Sequence, residues 1–312
     1  MNDAITDVAG VRVGHCTVWR DPDVRTGVTV VVPPELPLFA GAHVLNGNGE
    51  VTGLAWIRES GYLTTAIALT NTHSVGVVRD ALVEVTIRDG SDLWALPVVG
   101  ETYDGFLNDI NGMHVTREHV FAAFEDARGG EVAQGCVGSG TGMICHGFKG
   151  GIGTASRRAG DYVVGVLVQA NHGRRKRLMI GGDNVGARST VPMPDGTVPE
   201  GAGSIIVVVA TDAPLLPHQC ERVAQRAALG VGRTGGAGEN SSGDFMLCFS
   251  TGNRNPRDSA RFVPNEELDE LFYATIDATE GAIVNALLHA ETTTGRNGRV
   301  VHALPKELVS GS

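Results

Sequence analysis

Apolar positions in this chain switch between two periods, and the switches divide it into elements. Runs of β-branched residues bounded by Gly, Pro or Asn read as strands; apolar residues recurring at three and four read as helices. On that basis residues 11–15 and 26–32 are strands, the second closed by Pro33 and Pro34. Apolar runs follow at 51–56 and 64–69, and the latter ends in Thr70-Asn71-Thr72-His73-Ser74, a polar cluster able to cap a helix over 77–87. Residues 94–99 read as a strand, 116–128 as an amphipathic helix capped by Thr116, and 162–170 as a buried strand ending at Asn171. A short apolar run at 177–182 precedes 183–199, whose Gly, Pro, Ser, Thr and charge suit a long exposed loop. Beyond it lie a strand from Ser204, a helix over 216–229, a strand over 244–251 and a long helical pattern over 265–290. Strands are grouped apart from helices with little strict alternation, which favours an α+β fold of layered sheets covered by helices, all in one domain, 1–312.

Composition narrows the function classes. The 43 glycines in 312 residues are about twice the usual share, without a collagen-like period. A formal charge of −10 argues against binding nucleic acid, and the one basic run, Arg174-Arg175-Lys176-Arg177, reads as a solvated turn. No apolar run reaches the roughly 18 residues of a membrane span. The start, Met1-Asn2-Asp3-Ala4, is acidic and lacks the features of a secretory leader. Cys16, Cys136, Cys145, Cys220 and Cys248 are odd in number and contain no C-x-x-C, so free thiols and a cytoplasmic setting are expected.

Several chemistries fail on spacing. The glycine-dense section 135–156 does not give G-x-G-x-x-G or G-K-[ST]. That order occurs at 230–235, but after a helix instead of a strand. There is no H-E-x-x-H, Cys145-His146 has no second ligand pair at zinc spacing, and no G-x-S-x-G elbow is present. Neither a metal nor an organic cofactor is expected. One residue invites chemistry: Ser204, after Gly201-Ala202-Gly203, at the mouth of a core strand. Cutting the Gly203–Ser204 bond would set a hydroxyl and a free α-amine, of ordinary pKa about 7.7–8, on the same residue. On pattern alone, a Gly-Ser turn before a strand is the plainer reading.

Ordered blocks over nearly the whole chain change that balance. They include residues 5–15, Gly100-Glu101-Thr102-Tyr103-Asp104-Gly105, Gly138-Ser139-Gly140-Thr141-Gly142-Met143, residues 147–156, Val166-Leu167-Val168-Gln169-Ala170-Asn171, Gly203-Ser204-Ile205-Ile206 and Ser242-Gly243-Asp244. In these the chain resembles the L-aminopeptidase/D-amidase-esterases and β-aminopeptidases, self-processing hydrolases with an N-terminal serine nucleophile. The resemblance implies a four-layer αββα sandwich and cleavage at Gly203–Ser204 into fragments 1–203 and 204–312. It implies an acyl-enzyme on Ser204, with Ser242 relaying or holding its proton and Asp244 orienting the new ammonium. The family's carboxylate there is a glutamate, one methylene longer. Asn171 falls on the oxyanion-hole residue and Tyr103 on an active-site tyrosine. Glu101 is our choice for the substrate ammonium, with Asp104 and Asp109 competing, and Gly140, Gly142 and Gly151 are expected to line the pocket. Small peptides, amides or esters would be substrates, and a homo-oligomer of processed units, a tetramer, the assembly. An acyltransferase of the ornithine-acetyltransferase type, or an uncut binding protein on the same fold, remains the alternative.

Overall fold

Two sheets stack face to face, each with helices on its outer side, in the computed structural model of the chain, which describes residues 1–88, 90, 94–195, 203–253 and 259–309. In chain order, β1 (Arg12–Arg20), β2 (Val24–Val32) and β3 (Leu38–Gly47) lead into α1 (Leu54–Ser60), β4 (Tyr62–Leu63) and β5 (Ile67–Asn71). Next come α2 (Val75–Arg88), β6 (Val98–Thr102) and α3 (Arg117–Asp126). The glycine-rich middle supplies β7 (Ile144–Cys145), β8 (Phe148–Lys149), β9 (Gly151–Ala159), β10 (Tyr162–Asn171) and α4 (Val185–Arg188). The last third holds β11 (Gly203–Thr211), α5 (Pro217–Arg233), β12 (Ser242–Ser250) and α6 (Asp269–Leu288).

The first sheet has the order β1-β2-β5-β6 and the second β4-β3-β12-β11-β10-β9. Pairing is antiparallel except at β5–β6 and β11–β12. Side-chain alternation along β11 shows how the layers form. Ile205, Val207 and Val209 join Val166, Val168 and Met246 against Val223 and Ala227 of α5 and Ala282 and Ile283 of α6. Ile206, Val208 and Ala210 point the other way, meeting Val31, Ile67, Leu69 and Val98 of the first sheet. On the far side of that sheet, Val28, Val30 and Ala68 pack on Val78 and Leu82 of α2 and Val120 of α3. The layers are therefore αββα. Because residues 205–210 are fully buried on both faces, the strand reads as one unbroken apolar run, each large side chain contributing about 1.5–3 kcal/mol.

Glycine serves contact between layers. A Cβ on Gly153 of β9 would lie 1.9 Å from the Ala282 carbonyl oxygen of α6. One on Gly14 of β1 would lie 2.0 Å from the Ala123 carbonyl oxygen of α3. These helices rest directly on the strand backbone.

Several expectations change. The glycine-dense section is not all turn: residues 151–159 form β9. The run at 51–56 gives an isolated bridge from Val51 to Gly100 and then α1. Residues 94–97 precede the strand, which runs from Val98 to Thr102 and so carries Glu101. Arg175 is not solvated: its guanidinium stacks 3.5 Å over Phe148 and donates to the carbonyls of His146, Gly147 and Val191. Within 183–199, Val185 and Gly186 are buried in α4, while 196–199 lies outside the described residues. Among the described residues no helix is long and apolar enough to cross a membrane.

Candidate active site

Ser204 sits near the head of β11, aligned with Asn171 of β10 on one side and Gly243 of β12 on the other. Its Oγ donates to the Gly203 carbonyl oxygen at 2.7 Å and accepts from the Gly243 N–H at 3.2 Å. Gly203 is required by space: a Cβ there would lie 2.0 Å from the Asn171 carbonyl oxygen. Ser204 has the parity of Ile206, so it faces the layer between the sheets, as Asn171 does with the parity of Leu167.

Asn171 is held at both ends of its amide. Oδ1 accepts from the Ile144 N–H at 2.8 Å, and Nδ2 donates to the Tyr103 carbonyl oxygen at 3.1 Å. The primary amide carries a second N–H. Gln169, two residues earlier on the same face, ties the sheets together through Thr102 Oγ1 at 2.7 Å and the Thr70 carbonyl at 3.0 Å. Tyr103 contributes its backbone here; its side chain is half exposed and lies over Gly105, where a Cβ would come within 2.4 Å of the ring and hydroxyl.

Glu101 is buried at the end of β6. Its Oε1 accepts from the Glu50 N–H at 2.9 Å and its Oε2 from the Thr72 hydroxyl. Burial raises its pKa, and these two donors oppose the rise. A Cβ on Gly49 would lie 3.0 Å from Glu101 Oε1 and 3.4 Å from the Gly243 Cα, so the carboxylate is one glycine away from the strand beside Ser204. The competing acids are placed differently. Asp104 is fully enclosed, pinned by Asn71 Nδ2 at 3.1 Å and Asn108 Nδ2 at 3.0 Å, and burial pushes it up to about 6. Asp109 is half-buried, its Oδ2 3.4 Å from His114 Nε2.

Ser242 and Asp244 meet each other rather than the Ser204 hydroxyl. Ser242 Oγ donates to Asp244 Oδ1 at 2.6 Å. Both have the parity of Met246, on the α5–α6 side of the sheet, opposite the Ser204 side chain. The main-chain group Asp244 meets there is the Ile205 amide, one residue beyond the nitrogen that cleavage would free. Burial and the nearby Glu239 charge push Asp244 up to about 6, while the Ser242 hydroxyl and Ile205 amide favour its ionised form.

Gly140, Gly142 and Gly151 are buried, and the protein's own backbone fills the space a side chain would need: Ile152 N for Gly140, the Arg25 carbonyl for Gly142, the Gly135 carbonyl for Gly151. Two features escaped the sequence reading. Lys149 is fully buried, its Nζ donating to the Gly140 carbonyl at 3.1 Å and the Gly150 carbonyl at 2.8 Å, with its pKa lowered by burial. Cys145, His146 and His172 also converge, their ligand atoms within 4.8 Å of one another. The pair-spacing rule looked for a neighbouring pair, whereas the third donor arrives from the end of β10.

Residues 3–301 match the model of peptidase family S58. The chain belongs to that family. A β-peptidyl aminopeptidase of Sphingosinicella microcystinivorans is 48% identical to this S58 chain over 97% of it and 86% of the relative. Among solved structures, a Burkholderia sp. β-aminopeptidase superposes with a TM-score of 0.93 at 51% identity, covering 99% of this chain and 93% of that one. The L-aminopeptidase D-Ala-esterase/amidase of Ochrobactrum anthropi, described as a prototype for the serine aminopeptidases and a new variant of the N-terminal-nucleophile hydrolase fold, superposes at 0.92 with 42% identity, covering 99% and 92%. This S58 member is a hydrolytic peptidase of the aminopeptidase type, with the layered fold its sequence predicts.

Proposed function

We propose that the chain cuts itself between Gly203 and Ser204 and that fragments 1–203 and 204–312 together form an N-terminal-serine aminopeptidase acting on short peptides, amino-acid amides or esters. One observation carries the reading: the Ser204 hydroxyl lies 2.7 Å from the carbonyl oxygen of its own preceding residue, at the head of a buried strand. In processing, Oγ adds to the Gly203 carbonyl carbon, the C–N bond breaks, and the departing nitrogen takes a proton to become an amine. Water then hydrolyses the ester and frees the Gly203 carboxylate.

In the cut enzyme the neutral α-amine accepts the Oγ proton as Oγ attacks the substrate carbonyl. The free N–H of the Asn171 amide would hold the oxyanion, a contact worth about 2.7–4 kcal/mol in oxyanion holes. The α-ammonium then protonates the leaving amine, and water resolves the acyl-enzyme. Asp244, fixed by Ser242, orients the amine and favours its charged form. Glu101 would pair with the substrate's ammonium, for which a partly enclosed carboxylate is suited. Tyr103, half exposed, would act through its hydroxyl on the tetrahedral intermediate. The β-aminopeptidases at 48% and 51% identity support β-amino-acid peptides as a substrate class. Five free cysteines support a cytoplasmic setting, and the family resemblance supports assembly of processed units into a tetramer.

Intact mass separates this reading from its rivals. Wild-type protein is expected as two fragments split after Gly203, and Ser204→Ala protein as one inactive chain. A wild-type chain that stays whole yet hydrolyses peptides would refute the mechanism.

A further inference from the structure

The three converging donors lie beneath the oxyanion residue and outside the chemistry just described. Cys145 and His146 are fully buried and His172 is 2% exposed. His146 Nδ1 lies 3.1 Å from the Arg174 carbonyl oxygen. Donation to that oxygen places the ring proton on Nδ1 and leaves the Nε2 lone pair bare. His172 Nδ1 lies 3.8 Å from Cys145 Sγ, and the two imidazoles meet edge to face at 5.1 Å. Among the described residues neither His146 Nε2 nor His172 Nε2 has a hydrogen-bond partner. Leaving a buried polar atom unsatisfied costs about 1–3 kcal/mol, so one on each of two touching rings needs a reason.

We propose that Cys145, His146 and His172 form a buried site for one thiophilic transition-metal ion of the zinc class. One thiolate and two imidazoles are a ligand set such ions favour over magnesium or calcium. Burial holds His146 down to about 4 and His172 well below its usual value, so both are neutral ligands at neutral pH. The same burial pushes the Cys145 thiol up to about 12, so an ion bound there would have to displace its proton. The Glu239 carboxylate acts on His146 and would offset part of the ion's charge, against the opposing guanidiniums of Arg175 and Arg177. Position gives the site a consequence. His172 directly follows Asn171, and Cys145 directly follows Ile144, whose N–H holds the Asn171 side chain. The ion would join the two segments that fix that amide, as a positioning device independent of the proposed nucleophile.

The test is metal content and spectrum, neither of which depends on activity. Full-length protein made in zinc-supplemented medium and desalted is expected to keep about one zinc per chain. A His146→Phe/His172→Phe double variant should keep less than about a tenth of that. Protein made with cobalt should show a thiolate-to-cobalt charge-transfer band that Cys145→Ser removes. Zinc near zero in wild type, or equal zinc in the double variant, overturns the proposal and leaves a buried water as the partner of the imidazoles. Should the double variant fail to fold, the wild-type cobalt spectrum decides, and absence of the thiolate band overturns it.

Discussion

A methyl group at position 203 would press to 2.0 Å from the Asn171 carbonyl oxygen, so the residue before the proposed cut is constrained by its neighbour strand as well as by chemistry. Gly203→Ala should slow self-cleavage at least tenfold, roughly 1.4 kcal/mol on the barrier, read as the uncut fraction against time by mass. Asp244 allows a test with a sign. In the cut enzyme its carboxylate favours the ammonium form of the Ser204 amine, so Asp244→Asn should move the rising limb of kcat/KM to lower pH. In uncut Ser204→Ala protein the Asp244 carboxyl should titrate near its buried value of about 6. Adding Ser242→Ala removes a donor to the ionised form and should move that midpoint higher, followed by carbon-13 NMR of the carboxyl. Sequence alone singled out Ser204, Asn171, Ser242 and Asp244 as candidates through a resemblance, and the strand registers bring all four to one end of a sheet. It gave no sign that Ser242 and Asp244 face away from the hydroxyl, because that depends on which residue of β12 lies opposite Ser204.

Elements were legible where burial made their pattern simple. β10 and β11 have apolar partners on both faces, and α5 and α6 repeat at helical spacing. β3 and β9 were hidden because glycines interrupt them where helices lie on the backbone: Gly41 meets Glu221 N of α5 at a would-be 2.2 Å, and Gly153 meets α6. Local composition reads as turn, and only the partner helix explains it. Gly153→Ala should therefore push α6 from the sheet and destabilise the protein by about 1–3 kcal/mol, measured as a lower urea midpoint at unchanged slope. A full-strength Gly153→Ala protein would show that the helix can slide at little cost.

Across the molecule, the two proposed fragments are interleaved instead of adjoining. β12 and all of β11 beyond Gly203 belong to 204–312, yet β10 on one side and β3 on the other belong to 1–203. Cleavage would therefore leave both ladders intact. The fragments should elute as one species from a native sizing column and separate only in denaturant. The same inlay bears on how a ribosome-bound chain matures. β10 gains its partner once β11 has emerged, but until about residue 250 β3 has none for its facing edge and the slot between β3 and β10 is half filled. The hydroxyl proposed to do the cutting gains its Gly243 contact only when that slot is filled, so a nascent polypeptide shorter than this is expected to stay uncut.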